Sequence, residues 1–181
     1  MKINLITNID FSILDFIQNN LRSAFGDIFF PFITMLNERG EIWISIALIF
    51  FIFKKTRKLS IVILISLAFS ALFGNLVLKP IFERARPFLS NPSIVLLINA
   101  PKGYSFPSGH TITSFASAVP IFMFSKKLGI PALILASLIA FSRLYLYVHF
   151  PTDVLAGILL GTCVSIIIYK FAFKKAEYKL S

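Results

Sequence analysis

Apolar residues in this chain fall in long runs. Residues 59–78, 128–148 and 154–173 each approach the ~20 residues that a helix needs to cross roughly 30 Å of hydrocarbon. The run 111–124 is shorter, but it reaches back to Pro107 if the polar motif ahead of it opens the helix. Runs 42–53 and 24–36 are shorter again and marginal for crossing. Residues 11–21 differ in kind: Phe11, Leu14, Ile17 and Leu21 recur at helical spacing, with Asp15, Gln18, Asn19 and Arg22 on the other face. That pattern suits an amphipathic helix, either lying on a membrane surface or packed as a cap on the bundle. The expected fold is all-α: an integral membrane bundle of about six transmembrane helices with an N-terminal amphipathic helix, in one domain spanning residues 1–181.

Composition agrees. Hydrophobic residues make up 57% and charged residues 14%, against roughly 45–50% and about 25% in a soluble domain. The net charge of +10 could suggest nucleic acid, but the basic residues sit at the ends of apolar runs, so no nucleic-acid partner is expected. Six alternating segments put Lys54, Lys55, Arg57, Lys58, Lys126, Lys127, Lys170, Lys174, Lys175 and Lys179 on one side, with Lys2 and Arg22. That side then holds 12 of the 18 Lys+Arg. Cytoplasmic loops carry the excess of basic residues, so this side is cytoplasmic, with both termini, in the cell membrane. The first 25 residues carry Asp10 and Asp15 and do not resemble a cleaved signal. Cys163 lies in an apolar run and has no partner for a disulfide. No feature of the sequence fixes an oligomeric state.

The other side would hold Arg39, Lys79, Arg84, Arg86, Lys102 and Arg143, against the trend. Three motifs fall there: Lys79-Pro80-Ile81-Phe82-Glu83-Arg84-Ala85-Arg86-Pro87, then Pro107-Ser108-Gly109-His110, then Ser142-Arg143 with His149 and Asp153. Ionisable groups near lipid are costly to place and mark function by default. Lys79, Arg86 and Arg143 converge with no matching carboxylate beyond Glu83 and Asp153, and planar guanidinium groups bind phosphate oxygens in pairs. Pro107 suits a helix's first turn. Ser108, Gly109 and His110 would then present free N–H groups to an anion. With Pro151 opening the last helix, Asp153 falls in its first turn and orients His149, whose other ring nitrogen can attack. His110 would serve as acid to the leaving oxygen. Glu83, Arg84 and Lys102 are read as the rim of the site.

The pattern Lys-x6-Arg-Pro, Pro-Ser-Gly-His, Ser-Arg-x5-His-x3-Asp resembles the type 2 phosphatidic acid phosphatase (PAP2) superfamily, over a signature core of residues 79–153. The resemblance implies that Lys79, Arg86, Ser108, Gly109 and Arg143 hold the phosphate. His149, supported by Asp153, would form a phosphohistidine, and His110 would protonate the leaving group. It implies no cofactor and no metal, because cations and amides neutralise the phosphoryl charge. The expected substrate is a lipid phosphate or diphosphate presented by the bilayer on the extracytoplasmic side. Undecaprenyl diphosphate stands ahead of phosphatidylglycerophosphate, phosphatidic acid and lipid A phosphates. Two other functions fit less well. A vanadium haloperoxidase needs a longer loop than the one between Pro87 and Phe106, and a transporter needs charges near the midplane.

Overall fold

The computed structural model describes residues 5–174, and every regular element among them is helical. Helix α1 covers Leu5–Asn20, α2 Ala24–Met35 and α3 Glu41–Ile52. Helix α4, Arg57–Leu72, runs through a π turn, Phe73–Leu78, into the short α5, Lys79–Phe82. After a 3-10 turn at Pro87–Leu89 come α6, Gly109–Phe124, α7, Lys126–Tyr145, and α8, Pro151–Lys174. Three stretches are long and apolar enough to cross a membrane: Arg57–Leu89, Lys126–Tyr145 and Pro151–Lys174. Helices α2 and α3 have 12 residues each and α6 has 16.

Large apolar side chains face outward, with Phe171 82% exposed and Ile28 77%, while the interior is rich in small residues such as Ala47, Ala116, Ala118, Ala136, Ser60 and Ser114. Lipid tails are as apolar as leucine, so helices in a bilayer associate by close packing rather than by hiding hydrophobic bulk. The contact of α8 with α6 is the clearest case. A Cβ on Gly161 would stand 2.5 Å from the carbonyl oxygen of Ile112, and one on Gly157 would stand 2.8 Å from Cβ of Thr111. The two glycines, four apart, let the backbones touch. Gly161→Val is therefore expected to lower stability by about 1–3 kcal/mol through overpacking, measured as an earlier thermal transition in detergent. An unchanged transition would mean that the helices separate freely at this crossing.

Two ends of the bundle can be distinguished. Lys58 Nζ lies 4.7 Å over the ring of Phe173, and Phe124 packs on that same ring, so the α3–α4 turn, the α6–α7 turn and the end of α8 gather at one end. The three motifs gather at the other. Helix α2 departs from the sequence expectation. At its start, Ser23 N donates to Tyr145 Oη at 3.0 Å; at its finish, Thr34 Oγ1 accepts from Arg143 Nη1. Arg143 and Tyr145 are neighbours in the last turn of α7, so both ends of α2 lie at the motif end. A 12-residue helix is about 18 Å long, and this one lies across the bundle instead of passing through it. Of the six apolar segments expected, those of α4, α7 and α8 are long and apolar enough to cross a membrane, and those of α2, α3 and α6 are shorter.

Arg22, paired with Asp27 at 3.2 Å, consequently sits at the motif end and not with the basic clusters. Lys2, Lys175, Lys179 and the termini lie outside the described residues. Helix α1 joins α2 at the motif end. It buries Asp10, Leu14 and Ile17, leaves Asn8, Ser12, Asp15 and Asn19 exposed, and turns Ile6, Ile9, Ile13 and Phe16 outward. It is both a packed cap and a helix with an unburied apolar stripe.

Candidate active site

The chain reaches the site through local devices that hold each motif in place. Leu67, Ala71, Asn75 and Lys79, spaced by four, all line one cavity. In an α-helix each such step drifts by about 40°. The π turn, with Lys79 N bonded back to Gly74 O, winds more loosely and offsets part of that drift, so Lys79 stays on the cavity side. Asn37, after α2, is buried and its amide donates to the carbonyl of His110 at 3.0 Å and to the hydroxyls of Thr113 and Ser114, which fixes the first turn of α6. Helix α8 opens at Pro151, as expected, leaving His149 just outside it.

The cavity, about 1020 Å³, is lined by Lys79, Arg86, Gly109, His110, Arg143 and His149. Its other charged walls are Arg39, Lys102 and Glu38, so five cations face a single carboxylate. Among the described residues, none of Lys79, Arg86 and Arg143 has a carboxylate within ion-pair distance. Arg86 is held by carbonyls instead: Nε donates to Gly103 O at 3.0 Å and Nη1 to Val148 O at 2.9 Å. Arg143 is 2% exposed, and its Nε has no protein partner. Pro31, Phe32, Met35, Leu67 and Ala71 give the cavity an apolar wall.

His149 stands at the back. Arg86 Nη1 lies 3.2 Å from His149 Nε2. A guanidinium can only donate, so Nε2 is the acceptor and the proton is assigned to Nδ1. Nδ1 faces Asp153 Oδ2 at 3.5 Å, and Ser105 Oγ, which lies 3.4 Å from Nδ1, donates to that same carboxylate oxygen. Phe150 N also donates to Oδ2, at 2.8 Å. Burial chiefly, assisted by the charges of Arg86 and Arg143 and resisted by Asp153, brings the His149 pKa down to about 3, so the ring is neutral at physiological pH.

This lowering links to stability. The unfolded chain protonates this ring below its ordinary value of 6.5, whereas the native state does so only near 3. The resulting stability is fully present above pH 6.5 and is lost as pH falls towards 3, at up to about 1.4 kcal/mol per pH unit. His149→Gln should flatten the fall in thermal transition between pH 6.5 and 4; a wild-type slope in that variant would contradict the assigned neutral state.

Two expectations need correction. Ser108 does not offer a free amide: its N donates to the carbonyl of Asp153 at 3.2 Å, its hydroxyl accepts from Thr111, and the residue is fully buried. It caps α6, which starts at Gly109, so Pro107 precedes the cap rather than occupying the first turn. Arg84 is no rim residue either. It bridges Asp153 Oδ1 and Asp10 Oδ2, each at 2.6 Å, and Asp10 is a carboxylate that the motif reading left out. Asp10, in phase with Leu14 and Ile17, was detectable as an acid on an apolar helix face, and Arg84 as a cation two residues before Arg86. Ser105 carried no such signal. Glu83 is rim-like, exposed and bonded to Tyr104 Oη at 2.8 Å. Glu38, whose Oε2 is 4.0 Å from His110 Nε2, was also missed.

The model of the PAP2 superfamily matches residues 58–177. The chain belongs to the PAP2 superfamily. It is 40% identical over 129 residues to an undecaprenyl-diphosphatase of Sulfolobus acidocaldarius; the match covers 70% of this chain and 62% of that relative's length. A lipid A 4'-phosphatase of Bacteroides thetaiotaomicron is 30% identical over 189 aligned positions, covering 95% of this chain and 80% of the relative. Among solved structures, the transmembrane PAP2 type phosphatidylglycerolphosphate phosphatase of Bacillus subtilis superposes with a TM-score of 0.79 at 27% identity, over 94% of this chain and 88% of that one. The PAP2 fold and the three motifs therefore coincide in one chain.

Proposed function

We propose that this PAP2 chain is a multi-pass membrane phosphatase acting on a lipid phosphate or diphosphate through a phosphohistidine on His149. The observation that carries the reading is the cavity wall of five cations against one carboxylate, with a neutral imidazole whose free lone pair meets the Arg86 guanidinium. Such a wall wants a polyanion, and the guanidiniums match phosphoryl oxygens. Nε2 of His149 attacks phosphorus as the bond from phosphorus to the leaving lipid oxygen breaks, and His110 gives that oxygen its proton. Water, losing a proton to His110, then attacks the phosphohistidine; the P–N bond breaks and inorganic phosphate leaves. Lys79, Arg86, Arg143 and the amide of Gly109 neutralise charge on the equatorial oxygens, the task a metal ion performs in many other phosphoryl-transfer sites.

Membrane sidedness follows from charge. The end opposite the site carries Lys54, Lys55, Arg57, Lys58, Lys126, Lys127, Lys170 and Lys174, while all described carboxylates lie at the site end. Basic loops stay in the cytoplasm, so the site faces outward. Helix α1 would then lie at the outer interface, with its apolar stripe towards lipid. The substrate favoured is undecaprenyl diphosphate, supported by the name of the 40% identical relative and by an apolar cavity wall suited to a prenyl chain. The lipid A phosphates are the second reading, supported by a relative aligned over 95% of the chain.

The test is phosphate release by detergent-purified protein in EDTA from undecaprenyl diphosphate, lipid A, phosphatidylglycerophosphate and phosphatidic acid. Fastest turnover of undecaprenyl diphosphate is expected. Faster release from another lipid overturns the substrate, and no release from any lipid by folded protein overturns the class.

A further inference from the structure

The polar network behind His149 continues beyond the motifs into α1. Asp10 is 1% exposed and grips two partners. Its Oδ2 accepts from Arg84 Nη2 at 2.6 Å and from Thr152 Oγ1 at 2.6 Å, while its Oδ1 accepts from Thr152 N at 3.0 Å. Arg84 sends its other terminal nitrogen to Asp153 Oδ1 at 2.6 Å. The guanidinium also lies 4.0 Å over the Phe150 ring, against which Phe11 of α1 packs edge-on at 5.1 Å. One half-buried cation is thus shared between two buried carboxylates, and one of them faces the imidazole.

We infer that Asp10 is a positioning residue of the phosphoryl-transfer site, acting through Arg84 on Asp153. The inference rests on the phosphatase reading above. Arg84 occupies Oδ1 of Asp153 and thereby turns Oδ2 towards His149 Nδ1. Were Arg84 paired with Asp153 alone, its full charge would draw electron density from the carboxylate that supports the imidazole. Asp10 takes half of that demand. It also fixes Thr152 in the first turn of α8, which sets the depth of Asp153. Removing the charge of Asp10 tightens Arg84 on Asp153 and weakens the pull of Asp153 on Nδ1–H, so Nε2 becomes a poorer nucleophile. Phosphate binding, carried by Lys79, Arg86 and Arg143, is untouched. The loss therefore falls on kcat and not on KM.

Asp10→Asn separates this role from a purely structural one, because the amide oxygen can still accept from Thr152 N while the charge is gone. Expected for folded Asp10→Asn is a fall in kcat of about 10- to 100-fold, with KM within about twofold of wild type. Placed on Arg84→Gln, the same change should lower kcat no further, since the path runs through Arg84. Wild-type kcat in folded Asp10→Asn, a loss confined to KM, or a full additional loss on top of Arg84→Gln would each overturn the inference. If Asp10→Asn is not recovered folded, Thr152→Val removes one shared hydroxyl at constant shape and should lower kcat several-fold at unchanged KM; wild-type kcat there overturns it as well. His149→Ala runs alongside. Active wild type, dead His149→Ala and fully active Asp10→Asn would leave the phosphatase reading standing and sink this inference alone. An inactive wild type would remove both.

Discussion

Replacing His149 by alanine is expected to lower phosphate release by about 10⁴-fold or more, with the protein still folded and monodisperse in detergent. The size follows from the arrangement. Nothing else near the cavity can take over: among the described residues the only other imidazole is His110, which lines the same cavity, and under the proposed mechanism it hands a proton to the leaving oxygen. The remaining cations could still bind the substrate, so KM should move far less than kcat. Turnover near the wild-type level in His149→Ala would transfer the nucleophile to another group and undo the proposed mechanism. Acid-labile label on the wild-type chain after a quench with radiolabelled substrate, missing from the variant, would identify the intermediate directly.

The second large effect is expected at Arg143, and there activity and stability should move in opposite directions. The side chain is 2% exposed, has no ion-pair partner, donates Nη1 to Thr34 Oγ1, and leaves Nε unbonded to protein. A charge held this way is destabilising until an anion meets it, because the desolvation penalty is not repaid by a carboxylate. Arg143→Met, of similar volume and neutral, should therefore raise the thermal transition while kcat/KM falls about 10³-fold, roughly 4 kcal/mol of lost transition-state stabilisation. Enzymes often hold functional groups at the expense of stability in this way. A variant that loses stability together with activity would show that Arg143 is part of the scaffold, and its place in the phosphate cradle would have to be given up.

Much of this was legible in the residues. The helical segments emerged close to their expected bounds, since runs of apolar side chains between basic clusters leave few other options in a bilayer. Lys79, Arg86, His110, Arg143 and His149 meet at one cavity because their motifs fall at helix ends, and helix ends are what the pattern encodes most directly. The failures have a common cause. Run length alone cannot tell a helix that lies across a bundle from one that pierces it; the orientation of α2 is decided by Arg143 and Tyr145, more than a hundred residues away. Arg84 and Asp10 were likewise missed as a pair, since their partnership depends on α1 folding back over the α7–α8 turn. Ser108 was misjudged by one residue of capping register, enough to turn a free amide into a bonded one. The Gly157–Gly161 pair is legible in its spacing, since small residues four apart on one helix face mark a close crossing.

The crosswise placement of α2 ties the cavity wall to the cradle of cations. Ser23, ahead of α2, and Thr34, near its end, both bond to residues in the last turn of α7, Tyr145 and Arg143. The same helix lends Pro31, Phe32 and Met35 to the cavity. An anion that draws Arg143 towards itself competes with the Thr34 hydroxyl for that guanidinium, so filling the charged half of the cavity tugs on the helix that forms its apolar half. Loss of the Thr34 hydroxyl would then be felt in how the two halves are set against each other, without any change in the charges themselves.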